Sequence, residues 1–500
     1  MTNPNWQDLS QSLRPEGRAV IGGELCRSAS GETFTSENPA NGRPLAAVAC
    51  CGTEDINRAV RSARDSFESG VWSRLAPTER KNRLVHLAEL MQQHANELAL
   101  LETLDMGKPI AESASIDIPL SAACMAWNGE AIDKLYDEIA PTGAEVTALI
   151  TREPLGVVGA VVPWNFPLLM ACWKIGPALA AGNSVVLKPA EQSPLTAIAL
   201  GRLALEAGIP PGVLNVVPGF GETAGKALGL HNDVDALSFT GSTEVGRLFL
   251  RYASDSNMKH VSLECGGKSP HIIMADCAHL DDAVRAVAFG IFYNQGEVCN
   301  AGSRLLVHED IKDCFLEKLL AFSTSFSPGD PLDPATRMGA IVDRPQLERI
   351  LHYIDVGQAE GATLRVGGTR ARAETGGYFV APTVFDKVNN RMRIAQEEIF
   401  GPVLSTISFR SEEEAVRIAN DTMYGLAAAV WTSDIDVALR TSKRLRAGTV
   451  WVNCFDEGSI SVPFGGFKQS GFGRDKSLHA IKKYTELKAT WIRIRQLPPP

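Results

Sequence analysis

From residue 183 the chain alternates short β-branched runs with amphipathic stretches, and this alternation restricts its fold more than any other feature. "NSVVLKP" (183–189) reads as a buried strand. In "SPLTAIALGRLALEAG" (193–208), Leu195, Ile198, Ala199 and Leu203 fall on one helical face. "GVLNVVPG" and "VDALSFTG" are further strands, with "GETAGKALGLH" and "STEVGRLFLRYAS" as the helices after them. Strands separated by helices pair in parallel through right-handed crossovers, which gives an open α/β sheet. After "HVSLECGGKSP" the pattern restarts with "HIIMAD", "LDDAVRAVAFGIFYNQG" and "GSRLLVHED" and continues to about residue 465. A second α/β unit of similar size is therefore expected, and 500 residues is too long for one small core.

The uncharged segment "VVGAVVPWNFPLLMACW" (157–173) raises the question of a membrane span. It falls short of the ~20 residues such a helix needs, and Pro163 and Pro167 interrupt it, so a buried strand, a loop and a helix are expected instead. The stretch 146–162 and the terminal "YTELKATWIRIRQ" are β-rich and lie outside both alternating units. Read as isolated strands, they predict a protruding arm whose bare edges pair with another subunit. The formal net charge of −9 argues against a nucleic-acid partner, which requires a basic face. The ten cysteines show no CxxC pair and no Cys/His ligand spacing, so reduced thiols and no metal site are expected. No basic and apolar leader is visible, and a soluble cytoplasmic protein is the expectation.

Two glycine loops are candidates for holding phosphate. "GFGETAG" (219–225) misses the dinucleotide spacing GxGxxG by one residue, and "GSTEVG" (241–246) lacks the Lys-Ser/Thr of a P-loop. Spacing alone leaves open whether either loop is only a strand-to-helix turn. Both place backbone N–H groups at a helix N-terminus, where an anion is favoured, and Ser242 adds a hydroxyl. A different signal comes from "NQGEVCNAGSR" (294–304), where Cys299 stands among small and polar residues. A cysteine that fills a core has apolar neighbours, so this setting points to a working thiol.

Seven motifs then occur in order between residues 162 and 471: "VPWNFP", "LKPAEQSP", "FTGSTEVG", "LECGGKSP", "NQGEVCNAGSR", "QEEIFGPV" and "PFGGFKQSG". Together they closely resemble the aldehyde dehydrogenase superfamily, and the resemblance runs from about residue 17 to residue 494. "ALLETLDMGKPI", "SIDIP", "AIDKLYDE", "GRDKSLHA" and "YTELKATWI" make the chain most similar to the bacterial γ-glutamyl-γ-aminobutyraldehyde and ω-aminoaldehyde dehydrogenases of polyamine catabolism. The resemblance implies an α/β fold with two Rossmann-like open-sheet domains plus a β-strand oligomerisation arm. Residues 1–135 and 155–265 would form an NAD-binding domain and 266–470 a catalytic domain with the cysteine nucleophile. Residues 136–154 and 480–497 would form the arm of a homodimer or homotetramer. The implied partner is a small-molecule aldehyde, with no nucleic acid and no membrane.

The same resemblance assigns roles residue by residue. Cys299 matches the nucleophile, Glu264 the general base and Asn165 the oxyanion donor, with Lys174 as a fourth catalytic residue. Lys188 and Glu191 match the adenosine-ribose contacts, Ser242 the pyrophosphate contact and Glu398 the nicotinamide-ribose contact. Val162, Pro163, Trp164, Pro189, Gly221, Phe239, Gly241, Val245, Gln346 and Phe400 complete the implied cofactor contacts, and Glu264 also faces the cofactor. For substrate, Phe166, Met170, Trp173 and Phe464 are expected along a tunnel, with Asp117 at its mouth and Asp456 and Glu457 opposite. Cys265 departs from the Leu or Ala common after the glutamate, and "FDEGS" departs from the "YDGGD"-like form of close relatives.

The implied chemistry suits these residue types. A thiolate adds to the aldehyde, the resulting oxyanion expels hydride to a nicotinamide, and a thioester remains for water to hydrolyse. The Asn165 amide and the Cys299 N–H would hold the oxyanion, and a carboxylate such as Glu264 would activate the water. The expected cofactor is NAD, with NADP tolerated, because a 2′-phosphate would be repelled by Glu191 and only partly compensated by Lys188. Rival readings are a dehydrogenase for betaine aldehyde or aliphatic aldehydes, a CoA-acylating relative, and a non-catalytic protein on the same scaffold.

Overall fold

The computed structural model describes residues 4–495. Its first large sheet sets five parallel strands side by side in the order Leu214–Val216, Ser184–Lys188, Val157–Val161, Ala236–Thr240 and His260–Glu264. Counted along the chain, this runs third, second, first, fourth, fifth, so the direction of growth reverses beside Val157–Val161. Four of these strands are buried at every position, as expected for a parallel sheet covered on both faces. Short antiparallel strands at Ala19–Ile21 and Glu24–Cys26 extend one edge, and Gly471–Phe472 closes the other against Leu263 and Glu264.

The second sheet runs Thr363–Val366, Thr383–Asp386, Val403–Phe409, Arg304–His308, Pro270–Ile273, Ala427–Trp431 and Thr449–Val452. All its pairings are parallel except that of Thr363–Val366 with Thr383–Asp386. Both sheets follow from the strand-helix alternation in the sequence. The uncharged segment 157–173 becomes the central strand, a loop and the first half of helix Pro167–Ala180. Pro167 starts that helix where a missing N–H is harmless. No helix among the described residues is long and apolar enough to cross a membrane.

The stretch 146–162 does not behave as one outlying element. It divides at Gly156, so that Val146–Pro154 leaves the body of the molecule while Val157–Val161 lies at the centre of the first sheet. Nor are the outlying strands isolated. Thr485–Arg493 pairs antiparallel with Val146–Pro154 through nine residue pairs, and Glu138–Ala140 adds the third strand. Each supplies the other's missing edge within the chain. The outer strand Thr485–Arg493 still has one free edge and carries Leu487, Trp491 and Ile492 exposed. Residues 1–3 of the expected first domain and 496–497 of the expected arm lie outside the described residues.

Candidate functional site

Where strand order reverses, the carboxyl ends of Val157–Val161 and Ala236–Thr240 diverge into separate loops, and an open parallel sheet leaves a crevice at that point. Residues 162–166 leave one strand, and Gly241 and Ser242 leave the other. The crevice is part of a cavity of about 790 Å³ whose lining includes Trp164, Asn165, Ser242, Glu264, Cys299 and Glu398. That size suits a ligand larger than water.

Cys299 reaches this cavity because the chain reverses sharply after helix Leu280–Phe292. Asn294, Gln295 and Gly296 have φ of 45°, 57° and 73°, three left-handed residues in succession. Such a turn persists only if its surroundings hold it. The Asn294 amide donates to the Asn165 carbonyl at 3.0 Å, and Gln295 Oε1 accepts from the Gly339 N–H at 2.8 Å. Buried Glu297 accepts from the Val342 N–H at 3.1 Å. The Asn165 Nδ2 donates to the Glu297 carbonyl at 2.7 Å, which ties it to the loop that carries the thiol. That bond occupies one of the two amide hydrogens and leaves the other available. Burial, and then the carboxylates of Glu398, Glu264 and Asp456, push the Cys299 thiol above its ordinary range.

Glu264 ends the strand His260–Glu264, directly beside Thr240 in register. It is buried, and neither carboxylate oxygen has a hydrogen-bond partner. Burial and the nearby Asp475 raise its pKa well above the carboxylate range, while Lys174, Lys483 and Arg474 oppose the shift. The two glycines that follow are required by packing. A Cβ on Gly266 would meet the Glu398 carboxylate, and one on Gly267 would meet the Cys299 carbonyl. Close approach at these two glycines draws base, thiol loop and Glu398 together. Cys265 turns away, its sulfur near Gly246, and its N–H donates to Ser470 at 2.8 Å.

Lys174, expected as a fourth catalytic residue, is not among the side chains lining the cavity. It is fully buried and donates to Asp475 Oδ2 at 2.5 Å, while Lys483 pairs with the other oxygen. Burial alone would raise the Asp475 carboxyl, but the two ammonium groups hold it low. The ion cluster stands behind Glu264 and acts on it through its charge.

Of the expected cofactor contacts, Pro163, Trp164, Gly241, Ser242, Glu264, Gln346, Glu398 and Phe400 line the cavity. Ser242 caps helix Thr243–Ser254, its Oγ accepting from the Val245 N–H at 3.2 Å. Trp164 and Phe400 meet edge to face at 5.1 Å, and Gln346 Nε2 fixes the Phe400 carbonyl at 2.7 Å. Glu398 accepts from the Gly267 N–H at 3.0 Å, and burial raises its pKa to about 7. Val162, Lys188, Pro189, Glu191, Gly221, Phe239 and Val245 stand outside this lining. Lys188 pairs with Glu191 at 2.8 Å at the end of the neighbouring strand, and Val162 donates to its carbonyl. Phe239 belongs to a hydrophobic core. Gly221 opens a π-helical turn and has no atom near its absent Cβ, so it shows no close backbone approach.

The expected substrate residues Asp117, Phe166, Met170, Trp173, Asp456, Glu457 and Phe464 all line the cavity. Phe166, Met170 and Trp173 follow helical spacing along one face. Asp117, expected at the mouth, is a buried member of this lining. It is fully buried and accepts from Lys108 Nζ at 2.6 Å, and that ammonium lies 4.1 Å from the Phe166 ring centroid. Burial, opposed by Lys108, pushes its carboxyl upward. A π-helical turn at Ser113–Asp117 sets this contact, and chain spacing does not announce it.

Two participants escape a reading of the sequence. Asn300, next to the thiol, donates to Asp456 Oδ1 at 2.7 Å and so couples the nucleophile loop to the far wall. Lys476, within the quoted "GRDKSLHA", lines the cavity with its Nζ 5.3 Å from the Trp173 ring and 5.9 Å from Phe464. The aromatic face of Trp173 and Phe464 thus already holds a cation.

The model of the aldehyde dehydrogenase family matches residues 26–490. The chain is 53% identical over 489 residues to the NADP/NAD-dependent aldehyde dehydrogenase PuuC of Escherichia coli (strain K12), covering 98% of each chain. It superposes on a crystal structure of indole-3-acetaldehyde dehydrogenase complexed with NAD+ at a TM-score of 0.97 and 60% identity, covering 98% of this chain and 99% of that one. The γ-glutamyl-γ-aminobutyraldehyde dehydrogenase of Burkholderia cenocepacia gives 0.96 and 59%, with the same coverage. With a family model spanning most of its length and relatives matched end to end, this chain belongs to the aldehyde dehydrogenase family.

Proposed function

We propose that this protein oxidises an aldehyde to its carboxylate with NAD, and less efficiently with NADP, through a thioester on Cys299. The observation that carries the reading is one cavity lined by a thiol, an unpartnered carboxylate and a tethered amide, beside the crevice where the sheet reverses. The residues there suit a dinucleotide. A capped helix N-terminus offers N–H donors to phosphate, and Glu398 offers a carboxylate to ribose hydroxyls. When bound, the nicotinamide supplies the acceptor for a hydride.

Cys299, once deprotonated, adds through sulfur to the carbonyl carbon. The free amide hydrogen of Asn165 and the Cys299 N–H receive the oxyanion. As the C=O bond reforms, the hydrogen leaves carbon with its electron pair, and a thioester remains on Cys299. Glu264 takes a proton from water, hydroxide attacks the acyl carbon, and thiol and carboxylic acid separate. Overall, aldehyde and water give the acid, one hydride and one proton; the thiol's proton leaves to solvent before addition, and the proton held by Glu264 returns to the sulfur. Burial and Asp475 raise the Glu264 pKa above the ordinary carboxylate range, which makes it a stronger base than a solvated carboxylate. An unpartnered glutamate in the cavity favours hydrolysis over acyl transfer to CoA.

For substrate we infer γ-glutamyl-γ-aminobutyraldehyde or a related ω-aminoaldehyde of polyamine breakdown. Support comes from the named Escherichia and Burkholderia relatives and from a long, aromatic-walled cavity with Asp456 and Glu457 in its lining. The outer strand Thr485–Arg493, with its exposed Leu487 and Trp491, supports an oligomerisation arm. NADH formation across aldehydes with and without an ω-amino or ω-amide group tests the reading. Oxidation of none of them would overturn it.

A further inference from the structure

We propose that Lys476 is a specificity residue that selects aldehydes bearing a carboxylate at the end remote from the carbonyl, and disfavours those ending in a free ammonium. This rests on the aldehyde-oxidising reading above, keeps the acylated member of its substrate class and departs from it by setting the free ω-aminoaldehydes aside. Lys476 is a cation in the cavity wall, and among the described residues no carboxylate lies within ion-pair distance of it. Burial lowers its pKa, and Asp456, the neutral Cys124 thiol and Asp475 are the titratable groups around it that oppose the shift. Asp456 is engaged by Asn300, and Asp475 by Lys174 and Lys483. Asp456 acts on Lys476 from beyond ion-pair distance, and Asp475 is already shared by two other ammonium groups.

The ammonium is held in place before any ligand arrives. It lies against the Trp173 and Phe464 rings, and the neighbouring Gly458 has no side chain to cover it, a Cβ there coming within 3.4 Å of Nζ. The backbone of Lys476 adopts φ 63° and ψ 174°, a region otherwise left to glycine. Bonds on both sides hold it there: Asp475 exchanges two 2.8 Å hydrogen bonds with Phe464, and the Ser477 N–H donates to Ile460 at 2.7 Å. The lysine ammonium thus lines the same cavity as the thiol, beside Gly458, while Asn300 next to the thiol meets Asp456. A terminal carboxylate would complete the pair, and a terminal ammonium would meet a like charge on its aromatic wall. An amine acylated by a group that carries a carboxylate satisfies this requirement, and the free amine does not.

The experiment compares kcat/KM for homologous series of ω-carboxy, uncharged and ω-amino aldehydes in the wild type, Lys476→Met, Lys476→Gly and Lys476→Arg. Glycine suits the backbone at this position, so that variant removes the charge with the least risk to folding. The wild type should prefer the ω-carboxy over the ω-amino series by about tenfold or more, mainly through KM. Methionine and glycine should collapse this ratio towards one, and arginine should keep it. A wild type that prefers ω-amino aldehydes, or a ratio that survives loss of the charge, overturns the proposal. Oxidation of the uncharged series separates the two claims, because its absence in the wild type counts against aldehyde oxidation itself.

Discussion

Replacing Asn165 by alanine separates two functions that one amide could serve. In the structure its Nδ2 donates to the Glu297 carbonyl at 2.7 Å, which steadies the loop bearing Cys299. That carbonyl also receives the Asn294 amide at 3.4 Å, so it keeps a partner when Asn165 is removed. If steadying were the whole role, the loss would be one neutral hydrogen bond of about 1 kcal/mol, roughly a fivefold effect on rate. If the second amide hydrogen holds the oxyanion, the loss is about 3–4 kcal/mol, or 10²–10³ in kcat. We expect the larger value, with KM for aldehyde changed only a few-fold and NAD binding unchanged in a fluorescence titration. Single-turnover NADH formation should slow by the same factor, because the oxyanion forms before hydride leaves. A loss below about tenfold would refute the oxyanion assignment and leave Asn165 as a structural tether.

Glu264→Gln should retain a rapid burst of NADH and then turn over about 10²–10⁴ more slowly; an unchanged steady rate would remove Glu264 from the mechanism. Because burial and Asp475 raise the Glu264 pKa, its basic form appears only as pH climbs past the ordinary carboxylate range of about 4. Wild-type kcat should accordingly rise with pH above the ordinary carboxylate range, and the variant should lack that limb. For cofactor choice, Glu191 paired to Lys188 predicts a higher kcat/KM for NAD, with Glu191→Gln improving NADP; a wild type about tenfold better with NADP would contradict this. Deleting residues 484–500 removes the outer arm strand and should yield inactive monomer or aggregate in size-exclusion chromatography, whereas an active monomer would contradict the arm's role.

The strands and helices of both sheets were readable because period and β-branching report burial directly. Cys299 was also conspicuous, since no core explains a thiol among Gly296, Asn300 and Gly302. What escaped depends on contacts between residues far apart in the chain. Val146–Pro154 and Thr485–Arg493 look alike as lone strands, yet each is the other's partner across more than 300 residues. Lys108 beneath Phe166 holds Asp117 in a buried ion pair, and Asp475 holds Lys174 in another. Charged side chains carry no periodic signal of where they point. Lys476 was hidden for a further reason: its direction depends on a backbone conformation that a lysine seldom adopts.

The central claim is that the acyl group rests on the sulfur of Cys299 between hydride loss and hydrolysis. The most direct test is intact-mass and peptide mass spectrometry of Glu264→Gln, quenched in acid after mixing with NAD and an aldehyde. One added acyl group per chain is expected, located on the peptide containing Cys299 and absent when NAD is omitted. No adduct, or an adduct on another of the ten cysteines, would contradict it.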